Sequence, residues 1–110
     1  MNDQTARTAP VVVVLPAEID VTNSEHVHDQ LVAALAPGAD VVIADMTSTS
    51  FCDSSGVHAL VFAHEAAVAR GVRLRLAVSP EGSVPRVLQL IGVGRVLSIY
   101  SSLAEAIAAD

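Results

Sequence analysis

The 110-residue sequence predicts a single α/β domain with a mostly parallel or mixed sheet of four to five strands and about four helices. Apolar runs suited to strands alternate along the chain with segments of helical periodicity, and strands linked in this way form a parallel sheet through right-handed crossovers. The composition is 52% hydrophobic but only 3% aromatic, which indicates a core of aliphatic side chains. A chain of this length folds without a metal or a disulfide.

The first third of the chain predicts a tail, a strand, a turn and a helix. Residues 1–10 are polar and small, so we expect a flexible tail there and a folded domain over residues 11–110. The valine-rich run at residues 11–15 predicts a strand, and residues 18–20 continue it into a turn. Residues 22–25 have the Thr-x-x-Glu form of a capping box, which predicts that a helix begins there and ends at the following Pro-Gly pair.

The chain is organised around a buried strand that passes through a polar loop into a second helix. Residues 41–44 form a continuous apolar run, as expected of a strand covered on both faces. A polar loop at residues 47–51 follows. Asp53 or Ser54 is expected to cap the next helix, because either side chain offers an oxygen to the free N–H groups of the first turn. Ser55 then lies in that first turn with an exposed hydroxyl.

The central helix is predicted to end near Arg70, with Gly71 as its left-handed cap. Its core-facing stripe is expected to comprise Val57, Leu60, Val61, Ala67 and Val68. Phe62 lies on another face, where it either packs on a neighbouring helix or belongs to a partner-binding surface. In residues 72–78 apolar side chains alternate with two arginines, which predicts a strand with one wetter face, near the edge of the sheet.

The last third predicts a short helix, a short strand and a C-terminal helix. Residues 83–91 have helical spacing with Val87, Leu88 and Ile91 inward, and Gly92 ends the helix. Residues 96–100 form the last predicted strand. A second capping box at residues 102–105 opens a helix that is expected to bury Leu103 and Ile107. In a sheet of this kind sites form at the carboxyl ends of strands, which points to the loops at residues 18–23 and 47–56.

Composition argues against several classes of function. The net charge of -6 and the total of only six basic residues disfavour nucleic-acid binding. A single cysteine, Cys52, excludes an internal disulfide and fits a reducing compartment. No segment is long and apolar enough to span a membrane, and residues 1–10 lack the features of a signal peptide. We therefore expect a soluble cytoplasmic protein with no direct membrane binding.

Enzyme and metal chemistry are also disfavoured. The serine motif lacks the glycine that a hydrolase nucleophile elbow places two residues before the serine, and no histidine follows His64 to complete a triad. Cys52 is interpreted as a buried small residue rather than a thiolate nucleophile. The histidine pairs at residues 26/28 and 58/64 lack the spacing of metal ligands, although His64 falls on the apolar face. We predict no catalytic residue, no metal and no cofactor.

A family resemblance rests on the stretch VVIADMTSTSFCDSSGV at residues 41–57, which closely resembles the signature of the STAS family, the anti-sigma-factor antagonists of bacteria. Residues 17–20 look like the Gly-Glu-Leu-Asp turn of that family, and residues 79–88 and 96–100 follow in family order. The resemblance covers roughly residues 11–108. The chain departs from the family in having Ala17, preceded by Pro16, at the usual glycine, and in being short before Val11.

The resemblance implies a switch protein that regulates transcription, for example in a stress response. Its unphosphorylated form would bind an anti-sigma factor that is also a serine kinase, and a sigma factor would be released. The kinase would phosphorylate Ser55, and a metal-dependent serine phosphatase would restore the hydroxyl. The implied partner-binding residues are Asp20, Thr22, Asn23, Asp53, Ser54, Ser55, Gly56 and Val57.

Two other functions of the same fold stay open. A STAS subunit of a membrane lipid-transport complex would use the same helix face to dock on a transporter without any kinase. A ligand-sensing or scaffold STAS module would instead hold a small molecule. Neither alternative assigns a phosphoryl group to Ser55.

Overall fold

The computed structural model describes residues 9–109. Eight residues of the predicted tail therefore lie outside the described part of the chain. The elements in chain order are β1 (Val11–Val14), β2 (Glu18–Ile19), α1 (Ser24–Ala34), β3 (Val41–Met46), β4 (Phe51–Cys52), α2 (Ser54–Ala69), β5 (Arg73–Val78), α3 (Val84–Ile91), β6 (Ser98–Tyr100) and α4 (Leu103–Ala108), with a 3-10 turn at Val93–Arg95.

The main sheet has four strands in the order β1-β3-β5-β6, and every neighbouring pair is parallel. Strands β2 and β4 form a separate parallel pair of two residues each. The described residues thus contain four α-helices and a parallel sheet, which confirms the predicted fold class. No helix within residues 9–109 is long and apolar enough to cross a membrane.

Helices cover both faces of the sheet, as the alternation of side chains along β3 shows. Val42, Ala44 and Met46 point into the main core, together with the buried residues of α1 and α2. Ile43 points to the other face and packs with Ala106 of α4 in a smaller cluster. This second layer explains why the central strands are apolar on both sides.

The prediction that the strand of residues 72–78 has a wetter face near an edge is wrong. Strand β5 lies between β3 and β6, and α4 covers its second face. Arg75 is only 4% exposed and Ala77 is fully buried. The guanidinium of Arg75 donates from Nη1 to the carbonyl oxygen of Ala106 at 2.9 Å, so this arginine fastens α4 to the sheet.

Replacing Arg75 with alanine is expected to lower the free energy of unfolding by about 2–3 kcal/mol, because a charged hydrogen bond and the packing of the buried stem are both lost. Urea denaturation measures the change. Arg73→Ala is the matched control, since Arg73 is an exposed arginine on the same strand and its loss should change stability by less than about 0.5 kcal/mol. Equal losses in the two variants would contradict the anchoring role.

Several side chains predicted to be inward are exposed. Val68 is 63%, Ile91 40% and Ile107 44% exposed, so these predictions are wrong. In α2 the buried strip instead includes Ala59 and Ala63. The prediction weighted large side chains, whereas close helix packing selects small ones.

The observed ends of helices α3 and α4 agree better with the predictions made from the sequence. Gly92 adopts the left-handed conformation with φ of 84° and caps α3. Ser102 caps α4, and its hydroxyl accepts a hydrogen bond from the backbone N–H of Glu105 at 3.0 Å. Strand β6 is shorter than predicted, because the 3-10 turn occupies Val93–Arg95 and leaves Val96 exposed.

Candidate functional site

The two loops predicted to form a site lie side by side. Ile19 of β2 pairs with Cys52 of β4, so the residues that follow them, Asp20 and Asp53, leave the small sheet at the same end. The backbone N–H of Asp53 donates to the carbonyl oxygen of Ile19 at 3.1 Å, which extends the pairing into the loop. The two acidic residues therefore begin neighbouring loops at this end of the small sheet.

Asp53 is the residue that caps α2. One carboxylate oxygen, Oδ1, accepts hydrogen bonds from the backbone N–H groups of Ser55 at 3.0 Å and Gly56 at 3.2 Å. The same oxygen accepts the hydroxyl proton of Ser55, with an Oγ to Oδ1 distance of 2.6 Å. The Ser55 hydroxyl lowers the pKa of Asp53 most, and the two backbone N–H groups add to this effect. Ser55 is only partly exposed, because its hydroxyl turns back toward the cap.

Replacing Asp53 with alanine is expected to lower Tm by roughly 4–8 °C at neutral pH, because two N–H groups of the first turn lose their acceptor. Thermal unfolding followed by circular dichroism measures the shift. Ser54→Ala is the control, since Ser54 is exposed and should change Tm by less than about 2 °C. A shift in the control as large as in Asp53→Ala would contradict the assignment of the cap.

The charge of Asp53 makes part of this stabilisation depend on pH. The folded protein holds the pKa of Asp53 below its ordinary value of 3.8, so the stabilisation is complete above that value and is lost as pH falls through the folded pKa. Asp53→Asn keeps an acceptor oxygen but removes the charge. The difference in Tm between wild type and Asp53→Asn should therefore shrink below about pH 4.

The neighbouring loop has a different local structure from the one predicted. The carboxylate of Asp20 accepts from the backbone N–H of Thr22 at 2.9 Å and also from its hydroxyl. The N-cap position of α1 is Asn23 rather than Thr22, and no side chain caps the helix, so the predicted capping box is wrong. The helix begins at Ser24, and Asn23 instead bridges the loop, donating from Nδ2 to the carbonyl oxygen of Glu18 at 2.8 Å.

The start of α2 packs tightly on the small sheet. A Cβ atom at Gly56 would lie 2.6 Å from Sγ of Cys52 and 2.7 Å from Cγ2 of Ile19, so glycine is required for this contact. Burial, with a smaller contribution from the charge of Asp53, raises the pKa of Cys52 to about 11. A thiol this weakly acidic and only 1% exposed is a core residue, as predicted, and a poor nucleophile.

Side-chain hydrogen bonds also hold the loop before α2. The hydroxyl of Thr49 donates to the carbonyl oxygen of Pro16 at 2.8 Å. The hydroxyl of Ser83 donates to the backbone carbonyl oxygen of Ser50, also at 2.8 Å. These bonds fasten the loop to the end of β1 and to the start of α3. Ser55 is therefore presented on a fixed surface.

A groove of about 330 Å³ opens beside Ser55, between the first turns of α1 and α2. Phe62 lies at this groove and is 58% exposed, so it is not covered by a neighbouring helix. The residues lining the groove are Ser24, Glu25, His28, Ser55, His58, Ala59 and Phe62.

Most of the predicted partner-binding residues lie near one another in the structure, but they differ in how exposed they are to solvent. Thr22 and Ser54 are exposed, while Gly56 and Val57 are buried and shape the loop from below. Sequence reasoning missed the groove that adds Glu25, His28 and His58. The sequence shows that Glu25 and His28, and likewise Ser55 and His58, are three residues apart and so share a helix face. It does not show that helices α1 and α2 pack against each other. Within residues 9–109 no group of three or more potential ligands is arranged to hold a metal ion.

The fold and the site define a small α/β domain that presents a serine hydroxyl at the start of a helix, hydrogen-bonded to the carboxylate that caps that helix. The chain belongs to the STAS-domain family, because the model of the STAS domain matches residues 2–106. None of the curated proteins compared with the chain matches it.

Solved structures show the same fold. An anti-sigma-factor antagonist (STAS) domain protein from Planctomyces limnophilus is 26% identical, with a TM-score of 0.75, and the match covers 91% of this chain and 89% of that one. The Bacillus cell fate determinant SpoIIAA in its phosphorylated form is 27% identical, with a TM-score of 0.62 and coverage of 90% and 88%. The murine anion transporter Slc26a9 is 20% identical, with a TM-score of 0.73, and the match covers 97% of this chain but 19% of the transporter.

Proposed function

We propose that this protein is an anti-sigma-factor antagonist that is switched by phosphorylation of Ser55. Its unphosphorylated form binds an anti-sigma factor with serine kinase activity, and a sigma factor is released. The observation that carries the proposal is the position of the Ser55 hydroxyl in the first turn of α2, held at 2.6 Å from Asp53 within the Asp-Ser-Ser-Gly segment. The similarity to an anti-sigma-factor antagonist domain and to a phosphorylated SpoIIAA supports it.

The proposed modification is an ordinary phosphoryl transfer from ATP. The Ser55 oxygen forms a bond to the γ-phosphorus, the bond from that phosphorus to the β-phosphate oxygen breaks, and ADP leaves. Asp53 orients the hydroxyl through their hydrogen bond. Because the pKa of Asp53 is lowered, its carboxylate is a weak base, and the hydroxyl proton passes to a base of the kinase.

Phosphorylation would oppose binding through charge and desolvation. A phosphoryl group adds about -1.5 to -2 charges at neutral pH. It would be added in the first turn of α2, on a surface that also presents the exposed Thr22 and Ser54. A partner that fits this surface when Ser55 is unmodified would have to bury the added charge. The large hydrated group also occupies space that the partner needs.

The proposed switch is reversible. A metal-dependent serine phosphatase removes the phosphoryl group and restores binding. The protein itself performs no catalysis, works in the cytoplasm and binds neither nucleic acid nor membrane directly.

Paired capture from an extract of the native cells tests the proposal. Wild type, Ser55→Glu and Ser98→Glu serve as baits, and mass spectrometry identifies the bound proteins. Ser98 is an exposed serine at the amino end of β6, whereas the site lies at the carboxyl ends of its strands, so Ser98→Glu controls for added charge. We expect an ATPase-type serine kinase on wild type and Ser98→Glu and its loss from Ser55→Glu. Equal capture of that kinase by all three baits would contradict the switch.

Docking on a membrane transporter, as in a lipid-transport complex, is the second candidate. The likeness of the fold to part of the murine anion transporter is the observation that favours it. The same capture experiment separates the two functions. A transporter bound equally by wild type and Ser55→Glu would support this second candidate, and Ser55 would then be a residue of the helix start only.

A further inference from the structure

Phosphorylation would break the hydrogen bond that now orients Ser55. The serine hydroxyl donates its proton to Oδ1 of Asp53 at 2.6 Å, and a phosphate ester at the same oxygen has no such proton to give. At that distance the ester would instead place a phosphoryl group against a carboxylate of the same charge. The side chain is therefore expected to turn away from Asp53, into the groove that Ser55 already lines.

The groove offers imidazoles as the basic groups for that phosphoryl group. Ser55 and His58 are three residues apart, which places them on the same face of α2, and His28 reaches the groove from α1. All six basic residues of the chain are arginines, and none of those in the described residues lines the groove. Glu25 also lines the groove, so His28 and His58 are the basic side chains that could offset its charge there.

The two histidines are not equivalent. Nδ1 of His28 is paired with the carboxylate of Asp29 at 3.1 Å, which offsets part of any positive charge on His28. His58 lies one helical turn from Ser55, on the same face of α2. His58 is therefore better placed to act as the counter-charge.

We propose that His58, assisted by His28, binds the phosphoryl group on Ser55 and stabilises the phosphorylated side chain in the groove between α1 and α2. This inference rests on the proposed modification of Ser55. Phosphoserine changes charge near about pH 6, so the charge in the phosphorylated groove varies over the range just below neutral pH. Unmodified Ser55 carries no charge, so the unphosphorylated form lacks this ionisation.

The test uses the full chain with phosphoserine inserted biosynthetically at position 55, so that no kinase is needed. Phosphorus NMR follows the second ionisation of the phosphate between about pH 5 and pH 8. A nearby imidazolium favours the dianion, so we expect the midpoint to rise by roughly 0.3–0.5 pH units in His58→Gln. A smaller rise is expected in His28→Gln. His26→Gln is the control, since His26 is exposed and, only two residues from His28, points in another direction from α1.

The outcome of this NMR test does not depend on the outcome of the capture experiment that tests the proposed function. An unchanged midpoint in His58→Gln, or an equal shift in His26→Gln, would overturn the role of His58 even if phosphoserine abolished partner binding. Conversely, the expected shift would support the phosphate contact even if the modified protein still captured its partner, and in that case the proposed switch would fail. Circular dichroism of each variant at each pH confirms that the fold is intact.

Discussion

Replacing Gly56 with alanine is expected to lower the free energy of unfolding by about 2–3 kcal/mol, because the added methyl group has no space. The new Cβ atom would lie 2.6 Å from Sγ of Cys52 and 2.7 Å from Cγ2 of Ile19. Both neighbours are buried and lie on the small sheet, so relief of the overlap requires that α2 move away from it. Chemical denaturation of wild type and variant measures the loss.

Two controls give this prediction a clear outcome. Gly94→Ala places a Cβ atom where nothing lies within 4 Å, so its stability should differ from wild type by less than about 0.5 kcal/mol. Adding Cys52→Ala to Gly56→Ala removes one of the two close contacts and should recover part of the loss. A Gly56→Ala variant as stable as Gly94→Ala would show that α2 does not pack as described.

Replacing Ser55 with glutamate is expected to weaken binding of the captured anti-sigma factor on the order of 100-fold, since a like charge in an interface costs several kcal/mol. Ser55→Ala should bind within a few-fold of wild type, because it removes a hydroxyl without adding charge. Isothermal titration calorimetry gives both affinities. Ser98→Glu, at the other end of the strands, should bind like wild type. Equal weakening by Ser55→Ala and Ser55→Glu would show that the hydroxyl itself, rather than charge, controls binding.

The fold class was predictable because it depends on a pattern that runs along the whole chain. Alternating apolar runs and helical segments require a parallel sheet with crossovers. The helix caps at Ser102 and Gly92 were also predictable, because each depends only on a short local segment. The small sheet of β2 and β4 was not predictable, because two residues per strand carry no periodicity. The second face of β5 depends on α4, which lies far along the chain and buries Arg75 by tertiary packing.

The candidate site shows the same division between local and tertiary information. The Asp-Ser-Ser-Gly segment gave Ser55 and a choice of two caps, and the structure selects Asp53. At Thr22 the local motif was misleading, because α1 begins one residue later than the motif predicts and Asn23 takes the N-cap position. His28 and His58 become neighbours of one groove only when α1 packs on α2, and no local pattern specifies that approach.

Peptide-level mass spectrometry after incubation with ATP and the captured kinase tests the phosphorylation switch most directly. We predict one phosphoryl group on wild type, located on Ser55, and none on Ser55→Ala under the same conditions. A phosphoryl group on Ser54 or Thr47 instead, or equal labelling of Ser55→Ala, would contradict the assignment of Ser55 as the switch residue.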